Sequence, residues 1–348
     1  PVGGLWRTVP IEMVERSKLL AGKYEILRPV AEGGMARVWS GYTHGEAGFR
    51  RKIAIKRILQ SHVTDQSFAS MFVYEAHIVA ELAHPNIVQV HDFGRDEWGN
   101  YFIVMEWIDG LGMEEYVRSF FEAKQVTPWH LVSAVCIEVL RALTAAHEHL
   151  DEFGRRVPII HRDVNPRNIL VGLNGVVKLA DFGLARAMNA HHSTDPGVVK
   201  GKLGYMAPEL LEGDCRADSL TDIYSVGVAL WEALSGQRLF TGSSHVEIAE
   251  RALAAVIPQL ADYRKDLPVG LVEVVQRALA RDREKRYQTT RSMVEALSAV
   301  LRRFPEPTDG TALAISVKQA RKRLADGGQD QAPELESKTR PVQSLRRR

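Results

Sequence analysis

The stretch that decides the fold is the octet His161-Arg162-Asp163-Val164-Asn165-Pro166-Arg167-Asn168, followed further along the chain by Asp181-Phe182-Gly183. Asp163 supplies a carboxylate that can accept a proton from a hydroxyl group. Asn168 and Asp181 supply an amide oxygen and a second carboxylate, which are oxygen ligands of the kind that Mg²⁺ prefers. A proton acceptor beside a metal-binding pair is the equipment that phosphoryl transfer requires.

The octet resembles the catalytic loop of the eukaryotic-type protein kinases, and Asp-Phe-Gly resembles their metal-binding triplet. Together with Ala207-Pro208-Glu209, ten specified positions match in the right order. Random sequence would match them with a probability on the order of 10⁻¹³ per placement. The phrases Gly33-Gly34-Met35 and Gly204-Tyr205-Met206 followed by Ala-Pro-Glu are most similar to those of bacterial serine/threonine kinases. The resemblance covers roughly residues 24–304 and implies a bilobal α+β fold.

Composition is compatible with an enzyme of this size and argues against some partners. The chain has 348 residues with 45% hydrophobic content, which predicts about two domains. Its net charge of only +2 gives no global basic field for nucleic acid or a membrane surface. The most apolar stretch noted in the sequence, 226–234, is shorter than the roughly 20 residues that span a bilayer. We therefore expect no membrane segment in this chain.

The two cysteines, Cys136 and Cys215, have neither a disulfide framework's pattern nor paired metal-ligand spacing. A reducing, cytoplasmic location is the expectation that follows. Because the chain begins at Pro1 rather than methionine, it is expected to be a fragment, and a membrane attachment can lie outside it.

The predicted secondary structure changes from strands to helices near residue 109. Short β-rich runs, separated by Gly-containing turns, are followed by amphipathic helical patterns. The predicted strands are 24–30, 37–42, 52–58, 88–93 and 101–107, with one helix over 68–82. The predicted helices of the second part are 113–122, 128–149, 220–235, 244–255, 271–280 and 290–303. We therefore expect a lead-in over 1–22, an N-terminal lobe over 23–108 and a C-terminal lobe over 109–304. Residues 305–348 are interpreted as a polar, basic linker or tail with a possible helix over 315–324.

The segment at the first strand-turn-strand takes the place of the glycine-rich loop that covers the ATP phosphates in the family. Glycine suits this place because backbone N–H groups must approach phosphate oxygens closely. Gly33 keeps the middle glycine of the usual three, whereas Ala31 and Ala36 replace the outer two. On its own the segment would be a plain hairpin turn; its position ahead of Lys56 favours nucleotide binding. The contacting residues are expected to be Ala31, Glu32, Gly33 and Gly34.

Lys56 is similar to the family's third-strand lysine, which contacts the α- and β-phosphates and pairs with a glutamate on the helix. Glu75 is the best partner, since it lies one turn before Val79 on the predicted helix. A lysine between Ile53 and Ile55 on a buried strand needs such a partner for its desolvated charge.

The resemblance also implies an adenine pocket, although ordinary strand core explains each of its apolar members equally well. Met105 would be the gatekeeper, and Glu106 and Ile108 would offer backbone groups of the hinge to the base. Val38, Ala54 and Leu170 would surround the ring. Four further residues would stack as a spine that links the lobes: Val79, Val90, His161 and Phe182.

Within the catalytic loop, the family usually has a lysine that touches the γ-phosphate where this chain has the neutral Asn165. A second departure is Lys202, which stands where a threonine normally reaches the catalytic aspartate. We hypothesise that Lys202 restores the missing positive charge, since a lysine acts well as a point charge. If Lys202 is instead only a solvated loop residue, the protein is a weak or inactive kinase.

Regulation is expected to act on the segment between Asp181 and Glu209. Ser193 and Thr194 are its candidate phosphorylation sites, and Arg162 is the candidate partner for the phosphate. Glu209 is expected to pair with Arg286. Asp222 is expected to anchor the catalytic loop through its backbone.

The function that the resemblance implies is transfer of the γ-phosphoryl group of ATP to protein hydroxyls, with Mg²⁺ or Mn²⁺. The octet lacks the alanine/arginine pattern of tyrosine-specific relatives, which favours serine/threonine specificity. Partners are expected to be protein substrates and a second kinase domain for trans-autophosphorylation. A pseudokinase scaffold remains the alternative, favoured by Ala31, Ala36 and Asn165. A small-molecule kinase is disfavoured because the activation segment is complete.

Overall fold

The computed structural model describes residues 19–33, 36–59, 66–182, 203–213 and 216–327. Its N-terminal part is an antiparallel sheet of five strands: β1 (Tyr24–Glu32), β2 (Ala36–His44), β3 (Arg50–Ile58), β4 (Val90–Arg95) and β5 (Tyr101–Glu106). The strand order is β1-β2-β3-β5-β4. One helix, α1 (Gln66–Glu81), packs against β4 and β5. This arrangement confirms the predicted sheet with one helix.

Side-chain alternation along β3 sends its residues to two different apolar clusters. Ile53 and Ile55 pack with Tyr24 and Phe102 on one face of the sheet. Ile58 lies on the other face and packs with Phe72 of α1. Lys56 shares the parity of Ile58, because successive side chains of a strand point to opposite faces. The period of the strand therefore aims the lysine at the helix that carries Glu75.

The C-terminal part is mainly helical and is built around α3 (Trp129–His147), which packs against α5 (Ser219–Ser235) and α9 (Thr290–Leu301). A small antiparallel sheet of three strands lies at the edge that faces the first lobe: β6 (Gly110–Gly112), β7 (Ile169–Gly172) and β8 (Val177–Leu179). The remaining helices are α2 (Met113–Glu122), α4 (Pro208–Leu211), α6 (His245–Ala254), α7 (Leu260–Tyr263), α8 (Val269–Ala278) and α10 (Gly310–Gly327). These elements complete the bilobal architecture that the resemblance implies.

By length and composition alone, α3 could cross a membrane, although 226–234 was predicted to be the most apolar stretch. Most of the helix is buried inside the lobe. Val132, Leu140 and Leu143 have essentially no exposed surface. An apolar helix that is mostly buried is typical of the core of a large lobe.

The segment after residue 305 differs from the predicted linker or tail, because α10 is longer than the possible helix over 315–324 and packs on the C-terminal lobe. Leu313, Val317 and Ala320 are buried against the main core cluster. The Tyr116 and Ser316 hydroxyls, on α2 and α10, lie 2.7 Å apart. The spacing of the three apolar residues places them on one face of a helix. This face covers α2 and the small sheet.

The two lobes are joined by more than the chain connection at residue 108. Val79 and Leu82, at the end of α1, belong to the core cluster of the C-terminal lobe. Just beyond them, Val88 N donates to Leu179 O at 2.9 Å, and Leu179 N donates to Asn86 O at 2.8 Å. These bonds extend β8 by a short parallel pairing. They fix the end of the helix that carries Glu75.

Candidate active site

The Lys56 ammonium group forms hydrogen bonds that link the two lobes. Its Nζ donates to Glu75 Oε1 at 2.8 Å and to Glu75 Oε2 at 3.1 Å. It also donates to Asp181 Oδ1 at 2.8 Å. The predicted pairing of Lys56 with Glu75 is present, and the direct bond to Asp181 was not anticipated from the sequence. One ammonium group thus connects strand β3, helix α1 and the first residue of the Asp-Phe-Gly triplet.

The electrostatics of this cluster keep Lys56 charged. Burial alone would lower the pKa of Lys56, but the charges of Asp181 and Glu75 outweigh burial and raise its pKa. The Lys56 and Glu75 side chains are almost completely buried, whereas the Asp181 side chain is 30% exposed. A buried ion pair of this kind is costly to break by removing one partner. The ammonium is therefore a fixed positive charge at the base of the cleft.

Asp163 lies at the centre of a compact hydrogen-bonded loop. Asn168 Nδ2 donates to Asp163 O at 2.8 Å and to Asp163 Oδ2 at 3.2 Å. Asn165 Nδ2 donates to Asp163 O at 2.9 Å and to Asp163 Oδ1 at 3.2 Å, and Asn165 Oδ1 accepts from Arg167 N at 3.0 Å. The two amides orient the carboxylate. Asn165, the departure from the family lysine, therefore has a positioning role inside the loop.

The catalytic loop contains a backbone conformation that needs support. Arg162 has a φ of +66° and Asp181 a φ of +61°, both in the left-handed region that is uncommon for residues other than glycine. Asp222 supplies the support: its carboxylate accepts from His161 N at 2.9 Å, from Arg162 N at 2.8 Å and from His147 Nε2 at 2.8 Å. These three hydrogen bonds form the predicted anchor of the loop at Asp222.

Burial alone would raise the pKa of Asp222, but the hydrogen bonds from His147 and from the His161 backbone N–H lower it. The carboxylate is therefore kept ionised where it holds the loop. The Asp222 charge therefore supports the structure of the loop and does not face the cleft.

The predicted spine is present at the back of the cleft. The rings of His161 and Phe182 lie 4.5 Å apart, and His161 Nε2 lies 3.0 Å from Ala180 O. Val79, Val90 and Phe182 line a small cavity of about 10 Å³ that also borders Met105 and Asp181. The apolar column ties the catalytic loop to α1.

The nucleotide loop follows the hairpin predicted for it. Ala31 pairs with Val38 and Glu32 with Arg37 across β1 and β2, and Gly33 N donates to Ala36 O at 2.9 Å. Arg37 Nε also donates to Glu32 Oε2 at 2.7 Å. Gly34 lies outside the described residues. The hairpin is held by main-chain and side-chain bonds on both sides of its turn.

Across the sheet, Val38 pairs with Lys56, and Ala54 pairs with Met105, the predicted gatekeeper. Leu170 lies on β7 opposite Gly112 of β6, and Ile108 is partly buried just after β5. The predicted pocket residues thus come from both lobes and border the connection between them.

The hinge contains an ion pair that sequence reasoning missed. Lys178 Nζ donates to Glu106 Oε1 at 2.5 Å, and the same oxygen accepts from Gln89 N at 2.7 Å. Glu106 N donates to Gln89 O at 2.9 Å, so the backbone group that Glu106 can offer to a base is its carbonyl. The Glu106 side chain therefore supports the hinge. Its backbone carbonyl is the group that would bind the base in the predicted role.

The donor set fits a hard cation bound jointly with a nucleotide. Asn168 uses Nδ2 for its bonds to Asp163, and Oδ1 is the amide atom that a metal would take. Asp181 is partly exposed beside Lys56. Among the described residues no group of three or more His, Cys, Asp or Glu side chains converges as a metal site. Asn168 and Asp181 would therefore hold Mg²⁺ together with phosphate oxygens, as is usual for this ion.

The predicted Glu209–Arg286 pair and the predictions for the segment between Asp181 and Glu209 have different outcomes. Arg286 donates to both Glu209 oxygens at 2.7 and 2.8 Å, in the bidentate pairing that was predicted. The compensating Lys202 and the candidate phosphorylation sites Ser193 and Thr194 lie outside the described residues. Their roles stay predictions.

Comparison with known proteins agrees with this geometry. A model described as "Protein kinase domain" matches residues 24–297. "Tyrosine-protein kinase MasK" of Myxococcus xanthus is 37% identical over 280 residues, which are 80% of this chain and 43% of MasK. "Serine/threonine-protein kinase PrkC" of Bacillus subtilis is 33% identical over 276 residues, 79% of this chain and 40% of PrkC. The chain thus spans about two-fifths of the length of these relatives.

A longer match covers the C-terminal helix as well as the two lobes. "Serine/threonine-protein kinase PknL" of Mycobacterium tuberculosis is 35% identical over 334 residues, 94% of this chain and 79% of PknL. The crystal structure of the M. tuberculosis PknI kinase domain superposes with a TM-score of 0.60 at 27% identity, covering 83% of this chain and 99% of that one. A catalytic loop with a kinase's hydrogen bonds, a kinase fold and a family match over most of the sequence lead to one conclusion. This chain belongs to the protein kinase family, whose members use ATP and a divalent metal ion to phosphorylate proteins.

Proposed function

We propose that this chain is an active kinase domain that transfers the γ-phosphoryl group of Mg-ATP to serine and threonine hydroxyls of proteins. The observation that carries the proposal is the bonding of Lys56 to both Glu75 and Asp181. This arrangement brings the ammonium, the metal-binding carboxylate and the helix together, as phosphoryl transfer in kinases requires. A scaffold that only docks partners has no need of a buried charge network aimed at the cleft.

Each residue has a distinct task in this mechanism. The Lys56 ammonium binds nucleotide phosphates and is held in place by Glu75. The Asp163 carboxylate orients the acceptor hydroxyl and takes its proton, while Asn165 and Asn168 keep the carboxylate in position. Mg²⁺, held by Asn168 and Asp181, would neutralise phosphate charge when bound. Mn²⁺ has similar ligand preferences and is a second candidate.

Serine/threonine specificity rests on the octet and on the names of PrkC and PknL. The name of MasK favours tyrosine as a second candidate acceptor. We also propose that two kinase domains phosphorylate one another in the segment that contains Ser193 and Thr194, and that the domain works in the cytoplasm. Both of these proposals rest on the sequence.

The test is an assay of transfer from ATP labelled at the γ-phosphate. The purified chain is incubated with Mg²⁺ or Mn²⁺ and with peptides that differ only in serine, threonine or tyrosine as the acceptor. We expect label on serine and threonine, little on tyrosine, and at least a hundredfold lower rate with Asp163→Asn. Equal transfer by wild type and Asp163→Asn would contradict the catalytic role, and label confined to tyrosine would contradict the specificity. Mass spectrometry of the chain after the incubation locates autophosphorylation.

A further inference from the structure

An arginine of the catalytic loop and an arginine beyond α5 share one carboxylate at the start of α2. Arg167 Nε donates to Glu114 Oε2 at 2.8 Å, and Arg238 Nη2 donates to Glu114 Oε1. A guanidinium has five N–H donors in a planar fork, so one bond to Glu114 does not exhaust either arginine. We refer to Arg167, Arg238 and Glu114 as the arginine cluster.

The arginine cluster lies beside the catalytic carboxylate. Asn165 connects them, because its Nδ2 donates to Asp163 Oδ1 at 3.2 Å while its Oδ1 accepts from Arg167 N at 3.0 Å. These two bonds and the width of one amide group place Arg167 N within about 9 Å of Asp163 Oδ1. The Arg167 side chain continues from this backbone position to Glu114, so its guanidinium borders the stretch of substrate that flanks the acceptor hydroxyl.

The other end of the arginine cluster reaches the end of the activation segment. Arg238 Nη1 donates to Glu232 Oε2 at 3.0 Å and also to the Tyr205 hydroxyl. Tyr205 lies two residues before the Ala-Pro-Glu motif, and its hydroxyl donates to Glu232 at 2.5 Å. The arginine cluster therefore runs between the two segments that a protein substrate must contact.

The surface here is positive even though the carboxylates of Glu114 and Glu232 formally balance the two arginines. The Arg167 and Arg238 side chains are 65% and 44% exposed, whereas those of Glu114 and Glu232 are 24% and 10% exposed. Burial raises the pKa of Glu232, the less exposed of the two carboxylates. The neighbouring Glu115 is engaged with Gly112 N at the start of α2. A substrate approaching Asp163 therefore meets guanidinium groups first.

We propose that Arg167 and Arg238 select protein substrates that carry aspartate or glutamate close to the acceptor hydroxyl. This inference rests on the proposed kinase function and names the substrate class of the same site. Guanidinium groups bind carboxylates through paired N–H···O bonds, and opposite charges raise the rate of encounter. A basic side chain at the same place would meet like charges and be disfavoured.

The test compares three serine peptides that differ only beside the serine, with flanking glutamates, flanking lysines or flanking glutamines. The measured quantity is the ratio of kcat/KM for the glutamate peptide to kcat/KM for the lysine peptide. We expect wild type to favour the glutamate peptide by about threefold to tenfold, and high salt to reduce the ratio. Arg167→Glu should bring the ratio to one or below. Arg167→Lys, which keeps the charge, should preserve a ratio above one.

Arg141→Glu is the matched control, since Arg141 on α3 is also an exposed, ion-paired arginine with a side chain that is 54% exposed. It should keep the wild-type ratio. A wild-type ratio of one or less, an unchanged ratio in Arg167→Glu, or autophosphorylation without transfer to the glutamate peptide would overturn the inference. The complete absence of transfer, to peptides and to the enzyme itself, would instead contradict the proposed kinase function.

Discussion

The cleft between the lobes and the interior of the C-terminal lobe both contain buried charges, but the charges face different partners. We call the interior region around Asp222, Glu209 and Arg286 the floor. In the cleft, Asp181 is bonded to Lys56 and is still partly exposed on the side where phosphates bind. In the floor, Asp222 is 1% exposed and holds two backbone N–H groups and His147. Arg286, fully buried, is bonded to both oxygens of Glu209. The same residue types therefore serve chemistry in one region and folding in the other.

This difference allows effects on the transfer rate to be separated from effects on the free energy of unfolding. A charge that faces a substrate can be neutralised at little cost to the fold, because water or a neighbour replaces the partner. A charge enclosed by protein cannot, because its partner is left buried and unpaired. Variants of the two regions should therefore fall into two groups, one with a lower transfer rate and one with a lower free energy of unfolding.

The largest effect is expected for Asp181→Asn in the cleft. Loss of the carboxylate should reduce kcat by about 10³-fold, because the metal loses its charged ligand. The free energy of unfolding should change by no more than about 1 kcal/mol, since the Asp181 side chain is partly exposed and the buried Lys56 keeps Glu75 as its partner. Label transfer and urea unfolding of the same preparation measure both quantities. Asp151→Asn, at a surface ion pair with Arg155, should leave both unchanged.

In the floor, Glu209→Gln should reverse this pattern. Arg286 would keep its charge with no exposed surface and lose its carboxylate partner, which costs about 3 to 5 kcal/mol of unfolding free energy. Urea unfolding followed by circular dichroism gives the value. Glu212→Gln, at the exposed pair with Arg281, is the matched control and should change stability by less than about 0.5 kcal/mol. Equal effects of the two substitutions would remove the distinction between floor and surface.

The docked helix α10 should behave as part of the floor. Leu313→Ala removes a buried side chain from the α10 interface and should cost about 2 to 3 kcal/mol. Ile315→Ala, on the same helix but 54% exposed, should cost less than about 0.5 kcal/mol. Thermal unfolding of both variants measures the difference. If the two substitutions had the same effect, α10 would not be packed on the lobe.

Lys202→Met tests whether the cleft contains a compensating charge. Loss of the ammonium should lower kcat by about tenfold or more if Lys202 replaces the charge missing at Asn165, a loss of about 1.4 kcal/mol in transition-state stabilisation. Steady-state transfer to a serine peptide measures it, with Lys200→Met as the control in the same segment. Full turnover of Lys202→Met would reject compensation.

The smallest effect concerns pH. Burial lowers the pKa of His161, so below the ordinary histidine value of about 6.5 the unfolded chain binds a proton that the folded chain does not. Stability contributed by His161 is therefore present above pH 6.5 and is lost as the pH falls towards its lower folded value, by at most about 1.4 kcal/mol per pH unit. His161→Phe should show a shallower loss over that window in urea unfolding. An equally steep loss would assign the pH dependence to other groups.

The sequence predicted most of what a motif or a periodicity encodes. Lys56 on a β-branched strand and Glu75 one turn before Val79 were sufficient to predict their pairing, because strand and helix periods fix which faces meet. The Glu106–Lys178 pair could not be predicted in the same way, since it depends on how β5 and β8 approach each other. The docking of α10 was underestimated because the segment is polar on average. Leu313, Val317 and Ala320, spaced four and three apart, were the available signal.

The most direct measurement is made on Asp163→Asn, the substitution that removes the proposed proton acceptor and keeps the shape of the loop. Urea unfolding and transfer of labelled phosphate to a serine peptide are measured on the same preparation, beside wild type and Glu209→Gln. We predict an unfolding free energy within about 1 kcal/mol of wild type and a transfer rate at least a hundredfold lower. Transfer equal to wild type, or a loss of stability as large as that of Glu209→Gln, would contradict the assignment of Asp163 to chemistry rather than to the fold.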